Sequence, residues 1–204
     1  MTSILTTSAL EFGWGRAMGI AGVATLPEVL RKGRATTLLE AVLDYGAKSG
    51  EPAALLFAHR EAVYSRVGFR RVDDVLRGEV KVCDFELADA PLTREQVGAM
   101  YDVWAASSPG RLRRTESRWK AWNWSFKACE PVSDGYVCIE PLLCREAVIS
   151  TAMDAWPLAP STEWIGLTSV TKALNVPLKD ARRDLIVMAR NFPHAPEMFM
   201  TDQF

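Results

Sequence analysis

Between Met18 and Ala58 the spacing of apolar residues changes twice, and this restricts the folds open to the chain more than any other feature. Met18 to Thr25 is a small-residue apolar run suited to a strand. From Arg34 the positions Ala35, Leu38, Leu39, Val42 and Leu43 recur at three-and-four spacing, the mark of an amphipathic helix ending near Gly46 or Gly50. Ala53 to Ala58, AALLFA, then has the length of a strand buried on both faces. A strand, a basic loop containing glycine, a helix and a second strand make a βαβ-type unit.

The flanks extend this unit. Ser8 to Trp14 pairs naturally with Met18 to Thr25 through Gly15 and Arg16, Glu61 to Val67 reads as a short helix closed by Gly68, and Phe69 to Val72 as a strand. Arg70 to Lys81 is so charged that it reads as a connection, followed by an alternating strand from Val80 to Leu87. Thr93 and Gln96 form a capping box before Val97, Met100, Tyr101 and Trp104. Arg111 to Lys127 is expected to be helical, Tyr136 to Ile139 and Ala147 to Ser150 to be strands, and Thr168 to Leu174 a short helix. Asp184 to Arg190 is compatible with strand or helix, and Glu163 to Leu167 reads as a strand end. The fold class expected is mixed α/β, with residues 1–78 and 79–204 as two regions.

Composition narrows the partners. With 24 basic and 25 acidic side chains the net charge is -1, so no global field draws the protein to nucleic acid or to an anionic membrane. Any anion site is local. The four cysteines, Cys83, Cys129, Cys138 and Cys144, form no CxxC pair and have no histidine beside them, so no metal site is expected and buried free thiols in a reducing cytoplasm are. Tryptophans interleave with basic residues in RLRRTESRWKAWNWSFK, a pattern open to nucleic-acid stacking but equally met by a helix that buries Trp119 and Trp122.

The loop Arg31, Lys32, Gly33, Arg34, Ala35 and Thr36 lies where backbone amides and a helix dipole converge, a ready site for a diphosphate. The order GIAGVATLPEVLRKGRATTLLEAVLDYG, followed by LLFAHREAVYSRVGFRRV, resembles the acetyl-CoA-binding core of the GCN5-related N-acetyltransferases (GNAT), and in particular their enhanced-intracellular-survival branch. The family's loop, Arg/Gln-x-x-Gly-x-Gly/Ala, maps onto Leu30 to Ala35, with Leu30 departing from it. The resemblance implies that Val23, Ala24 and Thr25 meet the pantetheine arm and that Arg31 to Thr36 hold the diphosphate. It also places His59 and Arg60 beside the cofactor.

Two further roles follow from the same resemblance. Tyr64, in VYSRVGF, is the implied general acid for the departing thiolate, against the alternative of a ring packed on the core. The carboxylate of the last residue, Phe204, is the implied base for the amine, against the alternative of a docked tail, with Glu11 as a fallback. The implied activity is acetyl transfer from acetyl-CoA to a primary amine of an aminoglycoside, polyamine or lysine. The alternative is a CoA-binding protein without turnover, because the strand, two helices and strand that precede the matched part in the family have no counterpart here. An acetyltransferase sheet short of those elements is expected to pair with a second copy.

Overall fold

In the computed structural model, residues 3–83, 92–124, 128–132 and 134–204 are described, with the side chains of 122–124 and 128 left aside. The first unit follows the sequence pattern closely. Strands β1 (Ser3–Phe12) and β2 (Gly15–Thr25) form an antiparallel hairpin, helix α1 (Arg34–Lys48) crosses over, and β3 (Ala53–Ala58) returns parallel to β2. Helix α2 (Ala62–Ser65) and strand β4 (Arg70–Val80) follow. The remaining elements are α3 (Arg94–Ala106), β5 (Leu112–Arg113), α4 (Glu116–Trp124), β6 (Ala128–Val132), β7 (Gly135–Glu140), β8 (Leu143–Ile149), β9 (Glu163–Leu167), α5 (Thr168–Ala173) and β10 (Leu178–Arg190).

All ten strands join one mixed sheet, in the order β5-β1-β2-β3-β10-β4-β9-β8-β7-β6. β10, from the far end of the chain, lies antiparallel between β3 and β4. Alternation along the strands sorts side chains to two faces. Met18 and Ile20 of β2, Ala54, Leu56 and Ala58 of β3, and Ile186 and Met188 of β10 pack with Leu39 and Leu43 of α1. Their sequence neighbours Ala17, Ala53, Leu55, Val187 and Ala189 face the larger core, which includes Tyr101 of α3, Trp119 of α4 and Phe199 in the C-terminal tail.

The capping box forms as expected: Thr93 Oγ1 accepts from the Gln96 amide and the Gln96 side chain accepts from the Thr93 amide. Two expectations change and one open reading is settled. The charged segment Arg70 to Lys81 is not a connection, because its charges find partners across the sheet while Val75 and Val80 point inward. Arg77 Nε donates to Glu163 Oε2 at 2.9 Å, and Asp73 accepts from the Ser169 amide and hydroxyl at 3.1 and 2.6 Å. The segment from Arg111 is helical only from Glu116 onward, since Leu112 and Arg113 extend along Phe12 and Glu11 of β1. Asp184 to Arg190 is strand, being the inner part of β10. Of the expected strand Val80 to Leu87, the part from Asp84 lies outside the described residues, and Val82 makes an isolated bridge to Trp156.

Cys129, Cys138 and Cys144 are buried free thiols and Cys83 is exposed. No helix among the described residues is long and apolar enough to cross a membrane.

Leu39, wholly buried where α1 meets β2 and β3, ties the crossover to the sheet. Leu39→Ala is expected to cost about 2–5 kcal/mol of stability. Urea unfolding is the check: the midpoint falls while the slope stays that of the wild type.

Candidate functional site

β2 and β3 part company halfway along. They pair only from Ala17 to Ile20 against Ala53 to Leu56, although β2 continues to Thr25 and β3 to Ala58. Each strand keeps its outer neighbour in the parted region. Ala21, Ala24 and Thr25 stay paired to β1, and Phe57 and Ala58 to β10. The register of the hairpin shifts between Ile4 and Thr6, opposite Ala24 and Ala21, with Gly22 at φ +61° between them. That irregularity turns β2 away from β3, as bulges do. The result is a wedge whose β2 side is the inner edge of Ala21 to Thr25, which contains Val23, Ala24 and Thr25.

The wedge opens toward the start of α1. After a single turn at Pro27–Val29, Arg31 sits at φ +60° and Gly33 at φ +75°, the latter capping the helix without any side-chain bond. Left-handed residues at this spacing curl the main chain so that successive amides face one point, and the first-turn amides of a helix have no intrahelical acceptor. Arg31, Lys32 and Arg34 are exposed around this point, while Ala35 and Thr36 are half-buried. Lacking Cβ, Gly33 adopts this geometry without the steric cost that other residues carry. Leu30, just before it, is exposed and brings no polar group. His59 and Arg60 follow β3 directly and are exposed at the same end of the sheet.

Tyr64 lies on the α1 face. Its ring meets Phe69 edge-on at 6.3 Å and packs against the α1-side cluster. Burial raises its pKa above the ordinary 10.0, so the phenol keeps its proton at neutral pH. Phe204 lies on the other face. Its ring rests on Gly19, where an added Cβ would stand 2.8–2.9 Å from three ring atoms, and it meets Phe57 at 5.7 Å. Tyr64 and Phe204 thus sit on opposite faces of the sheet beside the two strands that part. On the Phe204 side a cavity of about 590 Å³ is bounded by Ser8, Leu10, Glu11, Arg16, Arg118 and Phe204. Glu11 stands in register with Arg16 on β2 and with Arg113 on β5.

A buried ion cluster holds the tail that ends in Phe204, and nothing in the sequence reading pointed to it. The Arg114 side chain is fully shielded from solvent. Its Nη1 and Nη2 donate to Glu146 at 3.0 and 2.5 Å, its Nε and Nη2 to Asp202 at 3.0 and 2.7 Å, and its Nη2 also to Thr201 Oγ1 at 3.0 Å. The guanidinium lies 3.8 Å from the Tyr101 ring centre and 4.7 Å from that of Trp119. Tyr136 and Thr201 donate hydroxyl bonds to Glu146. Burial pushes the Glu146 carboxyl up, but the Arg114 charge and these hydrogen bonds outweigh it and hold the group below its ordinary 4.5. The Tyr101 and Tyr136 phenols are raised well above 10.0, first by burial and then by the Asp202 and Glu146 charges respectively. The basic, tryptophan-rich segment therefore turns Arg114 and Trp119 inward.

Among the described residues no cluster of histidine, cysteine or carboxylate side chains has the make-up of a metal site. A second cavity of about 600 Å³ lies between α3, α5 and β7, lined by Met100, Trp104, Asp134 and Leu174 among others, and none of the expected site residues borders it.

Residues 9–72 match the acetyltransferase (GNAT) domain family. No curated protein matches the sequence. Among solved structures, the chain is similar to a GCN5-related N-acetyltransferase from Kribbella flavida, with a TM-score of 0.69 and 17% identity over 92% of this chain and 56% of that one. A GCN5-related N-acetyltransferase from Anabaena variabilis gives 0.58 and 17% over 92% and 58%. Eis1 from Mycobacterium abscessus gives 0.59 and 17% over 91% and 61%. The chain has the fold of the GCN5-related N-acetyltransferases, and its segment from β1 to the start of β4 carries their domain signature. It spans 56–61% of the length of these three structures.

Arg114→Met leaves two carboxylates buried without their cation, and a loss of about 3–5 kcal/mol is expected in chemical denaturation. The acid limb of stability has a definite sign. Glu146 is depressed in the folded state, so its contribution is complete above about pH 4.5 and is lost as pH falls through its folded value. Thermal unfolding from pH 6 to pH 3 is expected to show a shallower acid decline for Glu146→Gln than for the wild type, alongside a lower melting temperature at pH 6.

Proposed function

We propose that the protein is an acetyl-CoA-dependent N-acetyltransferase that acts on a primary amine of the aminoglycoside, polyamine or lysine kind. The observation that carries this reading is the wedge between β2 and β3, with an amide-lined helix start at its mouth and Tyr64 and Phe204 on its two sides. In this reading residues 1–78 hold the cosubstrate, and residues 79–204 supply the tail and much of the acceptor cavity.

The residues have complementary tasks. Amides and cations of Arg31 to Thr36 take the diphosphate, the free edge of Val23 to Thr25 takes the amide-rich pantetheine arm, and His59 and Arg60 close the opposite rim. Acetyl-CoA brings the thioester. An acceptor reaching the cavity beside Glu11 arrives as an ammonium, and the Phe204 carboxylate removes one proton. The freed nitrogen attacks the carbonyl carbon, the carbon–sulfur bond breaks, the Tyr64 hydroxyl passes its proton to the sulfur, and the second proton that the nitrogen sheds on becoming an amide leaves to solvent. Exchange with solvent restores both groups. The elevated Tyr64 pKa suits this task, because an acid must still hold its proton when the thiolate leaves.

Calorimetric titration with acetyl-CoA, followed by assay of CoA release with an amine panel, tests the proposal. Saturable binding with turnover on at least one amine is expected. Binding without turnover on any amine identifies a silent CoA-binding protein instead, and absence of binding refutes both. Tyr64→Phe is expected to lower kcat by about a hundredfold or more with acetyl-CoA affinity nearly unchanged. Equal turnover would remove Tyr64 from the mechanism. Extending the chain beyond Phe204 moves the carboxylate and is expected to lower kcat in the same assay. A fully active extended form would reassign the base, with Glu11→Gln as the next variant.

A further inference from the structure

We infer that Arg114, with Glu146, is a positioning device for the chain terminus: it clamps Thr201 and Asp202 so that Phe204 is seated on Gly19 beside the β2–β3 wedge. This rests on the proposed function for its catalytic meaning, but the seating itself can be tested without any activity.

The tail does not need ions merely to stay attached. Met198, Phe199 and Met200 are each buried to within 1% of complete, and the Phe199 ring packs at a tilt against Trp104, their centres 4.4 Å apart. An apolar anchor of that kind tolerates sliding. A guanidinium fork does not, because five donors in a rigid plane accept carboxylates only in fixed directions. Here both carboxylates and the Thr201 hydroxyl meet one fork, with the Tyr101 and Trp119 rings beside the guanidinium. Burying Arg114 with two carboxylates, one of them also 3.7 Å from Arg118, is costly in a dry interior, so the arrangement is better explained by what it orients than by net stability.

The clamp also reaches the strand beneath Phe204. Arg118 donates to the Asp202 carbonyl at 3.1 Å and to the Ala9 carbonyl at 3.3 Å. Ala9 adjoins Ser8, whose partner across the hairpin is Gly19. Only Gln203 separates Asp202 from Phe204, and Gln203 is exposed. Two residues cannot span far, so fixing Asp202 in place and direction fixes the ring and the carboxylate to within a small volume. The flat face of Gly19 completes the seat, since any Cβ there would collide with the ring.

The test follows release of Phe204 by carboxypeptidase A from the full chain. In the wild type the terminal residue is expected to be protected. Asp202→Asn keeps the shape but turns an amide toward the Arg114 donors, and release is expected to be faster by about tenfold or more, with circular dichroism unchanged. In acetyl transfer the same variant should lower kcat about tenfold or more and displace the acid limb of the kcat/KM pH profile, leaving the KM for acetyl-CoA as in the wild type. A purely structural role would not move that limb. Should Asp202→Asn fail to fold, Thr201→Val, which deletes only the hydroxyl bonds to Arg114 and Glu146, decides: faster release supports the clamp.

Release as slow as the wild type in a folded Asp202→Asn protein, or in Thr201→Val if it is the deciding variant, overturns the inference whatever the activity. Faster release in a protein that never turns over any amine leaves the clamp standing and refutes the proposed activity.

Discussion

A guanidinium with no access to water cannot be left half-satisfied, and much of the arrangement around the tail follows from that demand at Arg114. Its partners come from β8 and from the last turn of the chain, and the rings beside it from α3 and α4. Three consecutive segments, α3, β5 with its continuation and α4, therefore have to meet two remote ones, β8 and the tail. The apolar contacts around them permit many near-equivalent packings. The ionic geometry admits few, which makes the cluster a source of uniqueness as much as of cohesion.

The part of the fold that could be read from the residues is the part whose interactions are local. Helix α1 announces itself through Ala35, Leu38, Leu39, Val42 and Leu43, and the capping box at Thr93 and Gln96 is complete within four positions. The loop before α1 is legible for the same reason, its glycine and the helix behind it being adjacent in the chain. β4 was hidden because its charges look solvent-bound until Glu163 and Ser169 are brought alongside. Leu112 and Arg113 were read as helix because the hairpin edge that extends them belongs to β1. The Arg114 cluster was invisible outright: its bonds cross 32 and 88 positions, and no periodicity marks a buried arginine among exposed ones. Resemblance, rather than pattern, drew attention to Tyr64 and Phe204.

The two faces of the sheet divide the labour of the candidate site. The α1 face carries Tyr64 and the loop that opens the helix, both within the segment from β2 to β4. The opposite face carries the cavity and the tail, which depend on α4 and the C-terminal segment. A wedge between two strands leaves most of the outer pairing in place, because β1 holds Ala21, Ala24 and Thr25 of β2 and β10 holds Phe57 and Ala58 of β3. Opening a sheet in its middle is costly when edges are left bare, and here each parted strand loses one partner while keeping the other.

The position of β10 also governs the order in which the molecule can be assembled on the ribosome. β3 and β4 are not neighbours, and the strand that joins them comes after both by about a hundred residues. The growing chain can form the β1–β2 hairpin and the crossover helix early, since those contacts are close in sequence. It has to carry two unsatisfied strand edges until Leu178–Arg190 becomes available. Closure of the sheet is thus a late, non-local event, and the nascent protein passes through a stage at which chaperones have exposed edges to guard.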